Sequence, residues 1–530
     1  MIRLAAVLAL AFCAAFVALP IGAMFYDAAV GPDGIRWNSF GAILAESGDR
    51  AQLLRTVWLG GASTAIAFVF GCGHAWLTVR TDLPGARWLG PLGVAPLVVP
   101  PIFVAMGFSD IGDVTGFWGC SLLLGVSYAP FVAVLTARGM RSIDGRMYEA
   151  ALLARGRGPA ERLLARLAVP EIAAGCLFAF VFVVSEHGVP EFLTVKGKTW
   201  HTYAEGVFAK WTRRATGASE EDLIGPILAA IPLVALVSIA LVVALRLRAS
   251  RTIAGDHRPL PVRPLRSLRF PALLLPIVYL GCGVGVPVVV LARWAAGSTV
   301  VDQPMSFATL RESFRMAISE AGGDLGYTLA IGIATAGVIV LTSLPLARWA
   351  AGRFRFVDYL AVVPLAVPAI LLGMGFVQVY NSRFAGQVYD RTGDFYDSAG
   401  IVVAAYAARF LPFGVLTLSS SMRRVPPALG EAAELSGRGP IARLRWIHGP
   451  LVLPAVLSAI CLSFVLAVRE LDLAVVLPAG NGTVVRRLSN VVHFGGEDFG
   501  GALGLLLLGA CLILPFLLMA ITGRRPDPLS

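Results

Sequence analysis

Charged residues inside or beside long apolar stretches are the first candidates for chemistry in this sequence. They are Glu186, Arg409 and Glu470, with Arg469 and Asp472 on either side of the last. A charge at the centre of a bilayer costs at least about 2.5–3.5 kcal/mol on insertion scales unless it is paired or hydrated. Such groups can guide a polar solute or join two helices by an ion pair. We therefore take Glu186, Arg409 and Glu470 as pathway candidates, with a structural ion pair as the equal alternative for Arg409.

The depths of these groups follow from a helical rise of about 1.5 Å per residue. Arg409 is expected near the middle of its apolar stretch, Glu186 in the outer half, and Glu470 near the external end. An unpaired guanidinium at mid-depth must face a carboxylate, backbone carbonyls or water, and Glu470 and Glu186 are the nearest acidic partners. For Glu470 and Asp472 the sequence favours a position at the water interface.

The sequence predicts no metal site, cofactor or catalytic centre. His187 lies beside Glu186, with Glu191 and His201 nearby, but their spacing matches no closed ligand set. The chain contains seven cysteines, none in a CxxC pattern, and all of them fall in apolar windows. We read them as packing residues. They are Cys13, Cys72, Cys120, Cys176, Cys282, Cys461 and Cys511.

No nucleotide-binding loop is predicted either. The one Gly-Lys-Thr run, at 197–199, has Phe192 where a phosphate-binding loop needs a glycine. It also falls in a predicted external loop. If the protein depends on ATP, another chain must hydrolyse it.

The elements that position these groups are membrane spans. The chain is 57% apolar and 15% charged, with a mean hydropathy of +0.75, which lies outside the range of soluble globular proteins. Ten uncharged windows and two interrupted ones, by Glu186 and Arg409, reach the roughly 20 residues that a spanning helix needs. The twelve are residues 4–26, 56–79, 88–109, 114–137, 172–194, 223–245, 270–292, 325–347, 359–382, 398–422, 446–468 and 499–523. We expect an all-α integral membrane protein with twelve transmembrane helices.

The orientation follows from the basic residues. If both termini are cytoplasmic, most of the 44 Lys and Arg fall in cytoplasmic loops, which is the usual bias. The first window is too long for the apolar region of a cleaved signal peptide, so we expect it to remain as a span. The net charge of +11 is spread over short loops and forms no basic stripe, which argues against nucleic acid as a partner.

Two internal repeats divide the chain into similar halves. EAALLARGRGPAERLLARLAVP at 149–170 returns as EAAELSGRGPIARLRWIHGP at 431–450, and PLVVPPIFVAMGF at 96–108 returns as PLAVPAILLGMGF at 364–376. Each unit has six spans, an even number, so the two units share one orientation as parallel repeats. We predict a first repeat at 1–245, a Pro- and Arg-rich cytoplasmic linker at 246–269, and a second repeat at 270–530.

Each EAA segment predicts a short helix, a turn and a second helix. Glu-Ala-Ala favours a helix and Gly-Arg-Gly-Pro ends one, after which a new helix enters the membrane near the proline. The matching residues are Glu149, Ala150, Ala151, Gly156 and Pro170 in the first copy and Glu431, Ala432, Ala433, Gly437 and Pro450 in the second.

The paired EAA loops resemble the motif of binding-protein-dependent ABC transporter permeases. In that family the glycine follows the glutamate by six residues and the proline by nineteen. Gly437 and Pro450 fit, whereas Gly156 and Pro170 lie at plus seven and plus twenty-one. AYAARFLPF at 405–413, RELDLAVVLP after span eleven, and the fused layout are most similar to the ferric iron and thiamine branch.

That resemblance implies a permease in the cell inner membrane. It implies two copies of an ABC ATPase subunit that dock on the EAA loops, an external substrate-binding protein, and ferric iron as the leading cargo, with thiamine or another small solute as alternatives. A twelve-span secondary transporter driven by an ion gradient remains the rival from another class. Such a carrier would not need matched EAA loops.

Overall fold

The protein is all-helical apart from one minimal hairpin. The computed structural model describes the chain except for residues 1, 32–33, 36–46, 113, 196, 216–226, 229, 250–257, 298–304, 353, 355, 381–394, 438, 479–481, 495–496 and 523–530. In the described part, β1 (Val30–Gly31) pairs antiparallel with β2 (Gly34–Ile35). Helices dominate because a segment in lipid must satisfy its backbone hydrogen bonds internally.

The helices follow one another along the chain with short connections. Those before residue 250 are α1 (Ile2–Cys13), α2 (Leu19–Ala29), α3 (Ser47–Arg80), α4 (Ala86–Leu92), α5 (Pro101–Gly112), α6 (Gly116–Arg141), α7 (Gly145–Arg155), α8 (Arg157–Ser185), α9 (Gly188–Val195), α10 (Tyr203–Ala215) and α11 (Ile231–Ala249). Those after residue 270 are α12 (Leu274–Leu280), α13 (Val286–Ala296), α14 (Phe307–Ala351), α15 (Val357–Ala361), α16 (Val363–Ala366), α17 (Ala369–Tyr380), α18 (Ala399–Arg424), α19 (Pro427–Leu435), α20 (Pro440–Arg443), α21 (Gly449–Val468), α22 (Asp472–Val476), α23 (Val484–Phe494) and α24 (Glu497–Thr522). Single π-helical turns at Ala14–Ala18, Gly281–Gly285 and Leu444–His448 join α1 to α2, α12 to α13 and α20 to α21.

Among the described residues, eight helices are long and apolar enough to cross a membrane, or nine if one bent pair is a single span. The eight helices that are long and apolar enough are Leu4–Tyr26, Gly48–Arg80, Gly116–Arg141, Arg157–Ser185, Pro271–Ala296, Phe307–Ala351, Ala399–Arg424 and Arg445–Val468. The pair Ala86–Leu97 and Pro101–Gly112 passes the same test together, although it bends by 93°. Two further apolar helices, Ile231–Leu247 and Ala369–Tyr380, are shorter. The all-helical membrane class is therefore confirmed, while the count of twelve is not.

The repeated proline segment breaks the third and ninth predicted spans. Proline lacks the N–H that a helix interior needs and disfavours helical backbone at the residue before it. In the first copy the helix stops before Pro100 and restarts as α5 at Pro101. In the second, Val367 before Pro368 is extended, with ψ 122°, and α17 follows. Both breaks leave backbone carbonyls in the interior that need a donor.

The two halves are interleaved through their first helices. Phe16, in the turn between α1 and α2, stacks on Tyr380 of α17 with ring centroids 5.8 Å apart. The Tyr380 hydroxyl donates to the Ala15 carbonyl at 2.8 Å. Conversely, the hydroxyl of Tyr279 in α12 donates to the Gly93 carbonyl of the first half at 2.8 Å. Each half therefore completes part of the packing of the other.

Matching hydrogen bonds recur at equivalent places in the two halves. The backbone N–H of Tyr203, at the start of α10, donates to Thr56 Oγ1 of α3 at 2.8 Å. The N–H of Val484, at the start of α23, donates to Thr328 Oγ1 of α14 at 2.9 Å. A long helix thus anchors a later amphipathic helix in the same way twice, which supports the repeat organisation.

Candidate functional site

A charged cavity lies where the two halves meet. It encloses about 460 Å³ of empty space, part of it open to solvent. First-half residues reach it from α5, α6 and α8, and second-half residues from α18 and the end of α21. Its lining is Pro100, Pro101, Ile102, Tyr128, Phe182, Glu186, Arg409, Phe410, Leu466, Arg469, Glu470, Leu471 and Asp472. Three carboxylates and two guanidiniums therefore share one interior space.

Arg409 pairs with Glu470 in this cavity. The Arg409 Nε to Glu470 Oε1 distance is 3.5 Å, and the two side chains are 7% and 11% exposed. Glu470 Oε1 also accepts from the Leu473 backbone N–H at 3.2 Å. Arg409 Nε makes no hydrogen bond among the described residues, so the guanidinium is held by charge and retains a free donor.

Arg469 joins the second half to the break in the first. Its Nη1 donates to the carbonyls of Leu97 at 2.6 Å and Val99 at 3.4 Å. These carbonyls are freed because the helix stops before Pro100. A buried carbonyl without a donor costs free energy, so the arginine of one half satisfies the strained backbone of the other.

The first half contributes Glu186, which is the C-cap of α8. Its Oε2 accepts a hydrogen bond from the Tyr128 hydroxyl of α6. Asp472, at the start of α22, is 8% exposed, and its Oδ1 has no hydrogen-bond partner in the described part of the chain. The cavity therefore holds an unsatisfied donor on Arg409 and an unsatisfied acceptor on Asp472.

An aromatic layer lies one helical turn away from these charges. Phe131 of α6 stacks on Phe182 of α8 with centroids 4.7 Å apart and on Phe413 of α18 at 5.9 Å. Phe182 and Phe413 are 6.0 Å apart. Phe131 and Phe413 each follow a helix-interior proline, so corresponding residues of the two halves meet face to face. The three rings fill the space between the halves beside the charged cavity.

The structure brings Glu186, Arg409 and Glu470 together, which their separate depth estimates did not indicate. Glu470 and Asp472, expected at the water interface, both line the cavity with Arg409. The Glu470 side chain is 11% exposed, and Asp472 is buried. The contacts of Arg469 and Tyr128 were missed. The paired proline breaks, which must find donors, were the available signal for Arg469.

The EAA segments form the expected helix, turn and helix. In the first, α7 ends at Arg155, Gly156 adopts φ 78°, and α8 continues through Pro170. In the second, α19 ends at Leu435, Gly437 has φ 70°, and the chain is helical again from Pro440 past Pro450. Positive φ is readily accessible only to glycine, so Gly156 and Gly437 set both turns.

Outside the cavity, Glu205 of α10 collects several donors. It accepts from Lys198 Nζ at 2.9 Å, from the Thr202 backbone N–H at 2.6 Å and from Thr194 Oγ1 at 3.0 Å. Burial favours the neutral acid, but Lys198 and the hydrogen bonds outweigh it and lower the pKa of Glu205. Lys198, the lysine of the Gly-Lys-Thr run, is thus committed to an internal ion pair.

The histidines near this cluster lie close to carboxylates. His187 lies 3.6 Å from Glu191, and His201 lies 3.6 Å from Glu205. No group of three or more His, Cys, Asp or Glu side chains suited to a metal ion occurs within the described residues.

Residues 343–527 match the family described as binding-protein-dependent transport system inner membrane component. The chain carries a domain of this family. The matched permease region contains Arg409, Glu470 and the second EAA loop. The resemblance drawn from that loop is thereby confirmed, and the family is a transport component, not an enzyme.

One relative covers most of this chain, and two others cover about a third of it. The chain is 23% identical over 448 residues to the Fe(3+)-transport system permease protein FbpB 2 of Haemophilus influenzae, covering 81% of this chain and 82% of that protein. It is 28% identical over 206 residues to a probable sulfate transport system permease protein cysT of a Helicosporidium species, covering 36% and 75%. A putative 2-aminoethylphosphonate transport system permease protein PhnV of Salmonella paratyphi A is 25% identical over 189 residues, covering 35% and 67%.

Proposed function

We propose that this protein is the transmembrane subunit of an ABC importer. The observation that carries the proposal is the combination of two EAA loops with one charged cavity between the halves. ATP binding and hydrolysis by partner subunits would move the loops, and the cavity would open alternately to the two sides of the membrane. The match to the permease family over residues 343–527 supports this assignment.

Each EAA loop offers a docking point for one ATPase subunit. Leu153 and Leu435 occupy equivalent positions four residues after Glu149 and Glu431, and their side chains are 89% and 91% exposed. A leucine so exposed at the end of a short helix is suited to a groove on a partner. Two such loops on one chain fit two copies of the same ATPase.

The proposed topology has twelve spans with both termini in the cytoplasm. The halves are residues 1–245 and 270–530, with 246–269 between them. In intact cells, a reagent that cannot cross the membrane should not label cysteines placed at Gly158 or Gly439. Labelling of either cysteine from outside would show the opposite orientation, in which the EAA loops face away from the ATPase.

Ferric iron is the proposed cargo, delivered by an external binding protein. The long relative from Haemophilus influenzae is named for Fe(3+) transport, and it covers most of this chain. Thiamine, sulfate, a phosphonate or another small solute is the alternative within the same role.

The deciding experiment is uptake by proteoliposomes. The purified chain is reconstituted with the ATPase and the binding protein encoded beside it, and radiolabelled ferric iron is supplied on the side of the binding protein. We expect accumulation that needs ATP and the binding protein. Uptake driven by an ion gradient without ATPase would instead support the rival secondary transporter, and ATP-driven uptake of thiamine alone would change only the cargo.

A further inference from the structure

The described end of the connection between the halves packs against the first half. Residues 258–269, here called the linker strap, run along the ends of α3 and α7. The Arg263 N–H donates to the Arg80 carbonyl at 2.7 Å, and the Asp82 N–H donates back to Arg263 at 3.3 Å. Asp82 Oδ1 also accepts from the Leu265 N–H at 2.7 Å. These hydrogen bonds form a short parallel bridge that fixes the linker strap to the end of α3.

The linker strap also reaches the first EAA helix. The Gly145 N–H, at the start of α7, donates to the Arg258 carbonyl at 2.8 Å. Arg258 Nη1 donates to Glu149 Oε2 at 3.2 Å. A Cβ placed on Gly145 would lie 2.6 Å from the Pro259 carbonyl oxygen, so a glycine is needed for the strap to pass.

Behind α7 is a second set of contacts. The guanidinium of Arg80, at the end of α3, lies 4.6 Å from the ring centroid of Tyr148, and Tyr148 donates to Glu161 Oε1 at 2.9 Å. The first EAA helix is therefore held between the ends of two long helices on one side and the linker strap on the other. Glu149 is the residue that the strap engages.

We infer that Arg258 is a positioning residue for coupling: through Glu149 it fixes the orientation of the first EAA helix for the ATPase. The inference rests on the proposed function for its partner, while the contact itself does not. In the described part of the chain, no segment makes an equivalent contact with α19 of the second loop. One linker therefore stabilises one of the two docking points, and the two ATPase subunits meet surfaces of unequal stiffness.

The test uses the full chain with its ATPase and two matched pairs of variants. Arg258→Ala removes the bond to Glu149, and Arg266→Ala removes an arginine of the same strap that bonds no described side chain. Gly145→Ala pushes the strap away, and Gly48→Ala, outside both EAA loops, is its control, since a Cβ there meets nothing within 4 Å. Two quantities are measured: amide exchange of residues 145–155 and 427–435, and cargo moved per ATP hydrolysed.

We expect Arg258→Ala and Gly145→Ala to raise exchange in 145–155 by about twofold to fivefold, the range for an exposed ion pair, without changing 427–435. Cargo moved per ATP should fall by a similar factor, Arg258→Lys should restore it, and both controls should behave as the parent. Unchanged exchange would show that the linker strap does not stabilise the first EAA helix. Faster exchange with unchanged cargo per ATP would overturn the positioning role. If the parent shows no ATP-driven uptake, the proposed function fails. The exchange comparison still decides whether the linker strap stabilises the first EAA helix.

Discussion

The two halves share sequence devices but differ in what contacts them. At the centre, Glu186 of the first half accepts from the neutral hydroxyl of Tyr128, whereas Glu470 of the second faces the charged Arg409. At the loops, Glu149 is bonded by the linker strap, whereas Glu431 has no ion pair within the described residues. The repeat thus places these groups at equivalent positions, and their partners come from residues that differ between the halves or from the linker strap.

This difference suggests a division of labour. The second half carries the ion pair in the cavity, the arginine that satisfies the broken helix, and the EAA loop with family spacing. The first half has the hydrogen bond between Tyr128 and Glu186 at the centre and an EAA loop that the linker strap contacts. We therefore expect substitutions in the second half to disturb transport more strongly than their first-half equivalents.

The largest expected effect comes from removing Arg409. Arg409→Met leaves Glu470 buried without its partner, and breaking a buried pair costs about 3–5 kcal/mol. We expect ATP-driven uptake to be lost while the protein still inserts. Adding Glu470→Gln removes the uncompensated charge. Recovery of uptake in the double variant shows a structural pair, whereas continued loss with normal thermal stability shows that Arg409 lines the pathway.

The next largest effect is at the turn glycines. Leucine at Gly437 or Gly156 must adopt a positive φ, which costs roughly 1–2 kcal/mol and tilts the adjoining helix. Gly437→Leu should reduce ATPase association and uptake more than Gly156→Leu, because the strap restrains the first loop. Pull-down of the ATPase with the solubilised permease measures this. Equal losses of ATPase association at the two positions would contradict the proposed difference between the loops.

A smaller effect is expected from acid on the first half. The pKa of Glu205 is lower in the folded protein than in the unfolded chain, so the pair with Lys198 stabilises the fold above about pH 4.3 and is lost as pH falls below it. Lys198→Met removes the largest of the interactions that oppose burial at Glu205 and should move the acid transition to higher pH. Thermal unfolding followed from pH 3 to 7 checks this.

The second half supplies the control for this pH dependence. Arg487 donates to Asp324 at 2.7 Å, but the side chains are 35% and 28% exposed. Arg487→Met should shift the acid transition little, since water screens this pair. A shift as large as that of Lys198→Met would mean that burial is not what distinguishes the two ion pairs.

The smallest effect is expected at Tyr128. Tyr128→Phe keeps the ring in the aromatic layer and removes one hydrogen bond to Glu186, a change worth about 1 kcal/mol. Uptake should fall by no more than about fivefold, far less than in Arg409→Met. A complete loss would mean that Glu186 of the first half is as important for uptake as Glu470 of the second.

The sequence predicted the helical class, the family and both EAA turns because each depends on local signals. Gly156 and Gly437 are recognisable where a helix must reverse, and long apolar windows report spans directly. The cavity was predicted only as a set of candidate residues. Depth estimates along single helices could not show which residues of different helices line one cavity, as Asp472 and Arg409 do.

The contacts of Arg469 and Arg258 lay beyond such reasoning for a different reason. Both donate to groups far away in sequence, Arg469 to Leu97 and Arg258 to Glu149. Nothing in the composition of either neighbourhood identifies the partner. A broken helix and a Pro-rich connection indicate only that some polar groups need hydrogen-bond partners.

The exchange of first helices between the halves bears on how the chain is made. Phe16 finds Tyr380 only after more than half of the protein has been synthesised, so the first segment to enter the bilayer must wait beside lipid for its permanent neighbour. A nascent chain stopped before the second half would lack that wall. We expect the first half expressed alone to be less stable than in the full chain, because the contacts of Phe16 and Ala15 with Tyr380 would be missing.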